Sequence, residues 1–156
     1  MRLGVIALAG ASQLGDIAVA GPWIPDYRAA MFIREHAADA RVLTWFNWGE
    51  YAIWQLGPAG VRVSMDGRRE TVYSAGVLAR HWEFYRGREN ALDYPDEIAA
   101  DHIWLPVDLP VVNRLRSRGW PIVFESEQSI VFARRSVEQS RPFAAVPPPP
   151  SSFPWP

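Results

Sequence analysis

Apolar and polar positions along this chain switch between a helical and an alternating period, and each switch marks an element. Pro25-Asp26 opens a helical stretch with Ala30, Ile33 and Ala37 at i, i+3 and i+7. Arg41 to Trp45 reads as a short strand. Gly49 to Leu56 reads as a helix that Gly57-Pro58 ends. Val61 to Met65 forms a strand stopped by Asp66-Gly67. Ser74 is placed to cap a helix to about Arg86, with Val77, Leu78, Trp82 and Tyr85 as its apolar side and Gly87 as its stop. A short helix covers Pro95 to Ala100, and His102 to Leu105 is a strand. Asp108 is placed to cap the next helix, which has Pro110 in its first turn, Val111, Val112 and Leu115 inward, and Gly119 after it. Ile122 to Glu125 and Ser129 to Ala133 then form two strands of a hairpin.

Strands alternating with helices predict an α/β fold: a mostly parallel βαβ sheet with helices on both faces, closed by a C-terminal antiparallel hairpin. This domain is expected over residues 22–135. Residues 1–21 are apolar and rich in Ala and Gly. They read as the trailing end of a membrane helix, a weak signal peptide, or an ordinary buried element. Residues 136–156 contain four consecutive prolines, which suit neither ladder nor helix, and are expected to form an extended tail.

Composition narrows the function. The chain has 156 residues, 49% of them hydrophobic and 21% charged, as in a globular domain. A net charge of −1 gives no field to recruit nucleic acid. All 16 cationic side chains are Arg, so every positive group is a planar fork suited to carboxylate or phosphate. There is no Cys, which excludes disulfides, zinc-thiolate sites and thiol nucleophiles. The three His (His36, His81 and His102) lie far apart, without metal-ligand spacing, and no metal or cofactor is expected. His81 is expected to be solvated and His102 to start a strand. No GxSxG motif frames a serine nucleophile.

In open α/β sheets ligands bind at the carboxyl ends of the parallel strands. Three connections are expected there: Phe46-Asn47-Trp48-Gly49-Glu50, Asp66-Gly67-Arg68-Arg69-Glu70 and Pro106-Val107-Asp108. Together they bring aromatic rings, carboxylates, an amide and guanidinium forks to one edge, which is chemistry for a sugar or a phosphorylated lipid. Asn47, Trp48, Glu50, Asp66, Arg68 and Glu70 are the candidate ligand-binding residues. Structural readings stand beside these. Trp45 ends a strand and reads as core. Trp48 fits core and contact equally. Gly49 permits a sharp strand-to-helix turn. Asp66-Gly67 is a common turn dipeptide, and Arg68-Arg69-Glu70 is also an ordinary solvated cluster. Glu50 with Glu70, or Asp66 with Glu70, are the pairs available for carboxylate-based hydrolysis.

The runs RVLTWFNWGEYAIWQL, VRVSMDGRRETVYS, EIAADHIWLP and LRSRGWPIVFESEQSIVFARR together resemble the soluble C-terminal domain of bacterial GT-C-type, mannosyltransferase-like multi-spanning membrane glycosyltransferases. The likeness covers about residues 22–135. More distantly, Trp45-Phe46-Asn47-Trp48-Gly49 is similar to the W-W-D-Y-G signature of the oligosaccharyltransferase catalytic subunit, with Phe, Asn and Trp replacing Trp, Asp and Tyr. The resemblance implies a non-catalytic domain, because such enzymes carry their catalytic carboxylates in a membrane region that these residues do not include. It implies the extracytoplasmic side and a membrane-embedded glycosyltransferase portion as partner. It also implies a glycan or polyprenyl-phosphate sugar as ligand. A folded cap that docks without any ligand, and a small independent hydrolase, are the alternatives.

Overall fold

The computed structural model describes residues 25–68 and 72–134. The apolar segment 1–21, Glu70 and the tail 136–156 therefore lie outside the described residues. Helix α1 (Tyr27–His36) starts where expected, because the Asp26 carboxylate accepts the backbone N–H of Arg28 at 2.9 Å. It buries Ala29, Ala30, Phe32 and Ile33. Strand β1 (Arg41–Thr44) follows, then a 3-10 turn over Phe46–Trp48 and helix α2 (Gly49–Leu56).

Helix α2 ends at Leu56 with Gly57 as its C-cap, as expected, but Gly57 keeps right-handed helical angles. The chain tightens into a 3-10 turn over Gly57–Ala59, and the left-handed residue is Gly60 at φ 75°. Of the expected strand over Val61 to Met65, only Arg62–Val63 forms β2, since it pairs on one side alone. Helix α3 (Ala75–Tyr85) is capped by the Ser74 hydroxyl, which accepts the N–H of Val77 at 3.4 Å. A single turn, α4 (Tyr94–Glu97), precedes strand β3 (His102–Pro106). Helix α5 (Pro110–Ser117) starts from Leu109 with no side-chain cap, so Asp108 does not take the expected role. Pro110 sets the first turn instead. Strands β4 (Ile122–Glu125) and β5 (Ser129–Ala133) form the hairpin.

The five strands make one mixed sheet in the order β2-β1-β3-β5-β4. Strands β2, β1 and β3 run parallel, and β5 and β4 add antiparallel pairs. Every residue of β3 and β5 is buried, as their central place demands. Buried apolar residues fall into two clusters that take alternate sheet positions. One joins Leu43, Ile103, Leu105, Ile130 and Phe132 to residues of α3 and α5. The other joins Val42, Trp104, Val131 and Phe124 to residues of α1 and α2. Among the described residues no helix is long and apolar enough to cross a membrane.

Asp26 does a second job. Its other carboxylate oxygen accepts from the hydroxyls of Ser126 and Ser129, clasping the start of α1 to the hairpin turn. The carboxylate is only 4% exposed, so these bonds compensate its loss of water.

Candidate functional site

The first two of the three expected connections come together at the carboxyl ends of β1 and β2. Gly49 faces the backbone of Met65 and Asp66. A Cβ at this position would stand 2.2 Å from the Met65 carbonyl oxygen and 2.4 Å from the Asp66 Cα. Its φ of −57° is ordinary helix, so close approach, not turn geometry, is what requires glycine here. One residue on, Glu50 Oε1 accepts the backbone N–H of Gly67 at 2.8 Å. The two sequence motifs are thus one interlocked unit.

Within the second loop, Asp66 Oδ1 accepts the backbone N–H of Arg68 at 2.9 Å, the bond of an Asx turn. The Arg68 guanidinium also grips the carboxylate, with Nε 2.9 Å from Oδ2. Arg68 holds the Asp66 carboxyl below the usual range, against the opposing effect of burial. Asp66 is 1% exposed and stays an anion committed to its neighbour. It is therefore poorly placed as a proton donor.

The six candidates differ in what they present. Asn47, Glu50 and Arg68 are exposed at the rim. Trp48 is 1% exposed and packs on Trp104 at 5.2 Å between ring centroids, so it is core. Asp66 is buried, and Glu70 lies outside the described residues. Trp45, read as core from its strand position, is only half-buried, edge-on to Trp82 and Tyr85. Tyr51 and Trp54 lie three apart on a short helix, which predicts that at least one faces the sheet, and Trp54 is not among the candidate ligand-binding residues. Tyr51 turns toward Trp104, whereas Trp54 is 59% exposed. Glu50 and Trp54 stand four apart, on one face of α2. That i, i+4 spacing was the available signal, and it places a carboxylate on the same face as an exposed indole that meets Tyr51 edge-on.

His81 corrects a second expectation. It is buried, not solvated, with Nδ1 3.0 Å from both the Val77 carbonyl and the Tyr94 hydroxyl, and Nε2 3.5 Å from Ser64 Oγ. Burial pushes it down to about 4, so the ring is neutral at pH 7. His102 does start β3, and burial lowers it too.

Two clefts lie elsewhere. One of about 350 Å³ is lined by Leu92, Trp120 and a set of charges that neutralise each other, Arg118 with Asp93 at 2.7 Å and Arg134 with Asp96 at 3.2 Å. The other, of about 330 Å³, contains Arg41 and Arg62. Among the described residues no cluster of three His, Asp or Glu is placed to hold a metal ion. No family model, no curated protein and no solved structure matches the chain.

Proposed function

We propose that the chain is a non-catalytic domain of a GT-C-type, mannosyltransferase-like membrane glycosyltransferase. Its loop rim meets an acceptor glycan or a lipid-linked sugar on the extracytoplasmic side, beside the membrane-embedded portion. The observation that carries this reading is the interlocked rim. Gly49 against Met65–Asp66, and Glu50 on Gly67, fix two loops that leave Asn47, Glu50, Arg68 and the Trp54 indole exposed. A flat indole stacks on a pyranose face, and fixed amides and carboxylates take its hydroxyls. The same commitments speak against catalysis, since Asp66 is bound by Arg68 and Glu50 by Gly67. The two buried clusters, each with its own helices, support a sheet covered on both faces.

Tryptophan fluorescence reports the test, because Trp54 is exposed. Mannose oligosaccharides and polyprenyl-phosphate mannose are titrated into the chain. A saturable change that Trp54→Ala and Asn47→Ala abolish supports the reading, and a flat response to every ligand overturns it. A second reading is favoured by the burial of Trp48. Here the domain is a folded cap that docks on its membrane partner with no ligand. Flat titrations, together with retained binding to the membrane-embedded portion, establish that reading instead.

A further inference from the structure

Arg41 opens β1 and Arg62 opens β2, and the two are register partners in adjacent parallel strands. Strands so paired lie about 4.8 Å apart. Leu43 packs into the cluster with α3 and α5, so Arg41, two residues away, points to that face. Val63 packs against the opposite cluster, so Arg62 points to the same face as Arg41. Like charges directly across a strand pair are unfavourable.

Most described arginines have a carboxylate in ion-pair range, for example Arg80 with Glu97 and Arg116 with Glu125. Among the described residues Arg41 and Arg62 have none. The acids nearest in sequence face other groups. Asp101 Oδ2 accepts the backbone N–H of Arg41 at 2.8 Å, and Asp39 offers Arg62 Nη2 only its carbonyl, at 3.4 Å. Both arginines line the cleft of about 330 Å³, whose other wall is Val77, Tyr94 and Ile98. That volume suits a small ligand. Buried His81 sits behind Ser64 and Tyr94, so the ring adds no charge at neutral pH.

We propose that this cleft binds a phosphate monoester with an apolar chain. Arg41 and Arg62 fork the phosphate oxygens, and the chain lies along Val77, Tyr94 and Ile98. A phosphate monoester carries close to two negative charges at pH 7, enough for both guanidiniums, whereas a carboxylate leaves one cation unmatched. The lining runs from Arg41 and Arg62 along the strands to Leu43 and Ser64 and includes none of the rim residues Asn47, Glu50, Trp54 and Arg68. The inference therefore stands or falls independently of the rim's ligand.

Calorimetric titration of the full chain tests it with inorganic phosphate, octanoate and octyl phosphate below its micelle concentration. Octyl phosphate is expected to bind about tenfold or more tighter than either other probe. Arg41→Gln and Arg62→Gln are each expected to weaken it about tenfold or more, with Arg34→Gln as the unaffected control. Removing one of two facing like charges does not threaten folding, and a thermal melt of each variant checks this. Equal affinities for octyl phosphate and inorganic phosphate, or an Arg62→Gln variant that binds as the parent does, overturn the proposal. Co-sedimentation with phosphatidylcholine vesicles containing phosphatidic acid identifies the source. Pelleting lost in Arg62→Gln assigns a lipid headgroup, and no pelleting beside tight octyl phosphate binding assigns a free monoester.

Discussion

The two ends of β1 handle charge in opposite ways. At the carboxyl end every acid of the two interlocked loops in the described residues has a fixed donor: Asp66 has Arg68, and Glu50 has the Gly67 N–H. At the amino end two arginines are register partners on adjacent strands, with no carboxylate in ion-pair range among the described residues. The contrast separates what the fold needs from what it offers. Satisfied groups at the carboxyl end hold the loops in place and leave Asn47 and Trp54 exposed beside them. At the amino end Arg62 commits one donor to the Asp39 carbonyl, and neither arginine has a carboxylate partner among the described residues.

The largest test of the carboxyl end is Trp48→Ala. A buried indole packed at a tilt on Trp104 should cost about 3–5 kcal/mol when truncated. Urea denaturation measures it. A loss well under that range would mean the indole is not holding the loop, and the division between scaffold and rim would fail there.

Next in size is an acid effect centred on His81, which faces Val77, Tyr94 and Ser64. The unfolded chain takes up this proton near pH 6.5, the folded chain only near about 4. The unfolded state therefore binds more protons between these values. Stability is fully present above about 6.5 and falls as pH drops toward about 4, by on the order of 3 kcal/mol. His102, lowered in the same direction, adds to the slope. Denaturation at several pH values checks this, and His81→Gln should flatten most of the dependence.

These two residues also show what sequence could and could not reveal. The helices, the hairpin and most strand positions were legible, because period and stop residues act locally: Asp26 and Ser74 cap, and Gly87 and Gly119 turn the chain at positive φ. The bringing together of two loops was legible from strand order. What each side chain does there was not. Trp48 and Trp54 sit six apart in one aromatic run, and only the facing Trp104 decides that one is core and the other open. His81 looked polar and therefore outward, but Tyr94 and Ser64, from distant segments, supply the partners that let it be buried. Strand β2 proved shorter than its apolar run because only β1 pairs with it.

Gly49→Ala probes the same end at lower cost. The new methyl meets backbone at 2.2 Å, which no side-chain rotation relieves. Overpacking of this kind costs about 1–3 kcal/mol and should separate the two loops. The readout is a lower denaturation midpoint together with loss of the slow amide exchange of Gly67, whose N–H is held by Glu50. Unchanged exchange at Gly67 would show that the loops are not locked through Gly49.

The smallest effect has the opposite sign. Arg62→Gln removes one of two like charges that face each other across β1 and β2, so stability should rise by about 0.2–1 kcal/mol. The gain should fade as salt rises, since exposed charges are screened within about 10 Å at 0.1 M salt. Arg68→Gln makes the comparison sharp, because the same substitution at the other end leaves the buried Asp66 carboxylate without its fork and should lower stability. Saturating octyl phosphate should reverse the first result. With the anion bound, Arg62 becomes favourable, and the parent chain should be stabilised more than Arg62→Gln by the ligand. If both substitutions lower stability in the absence of ligand, Arg62 is a structural residue, and the two ends of β1 are not chemically different after all.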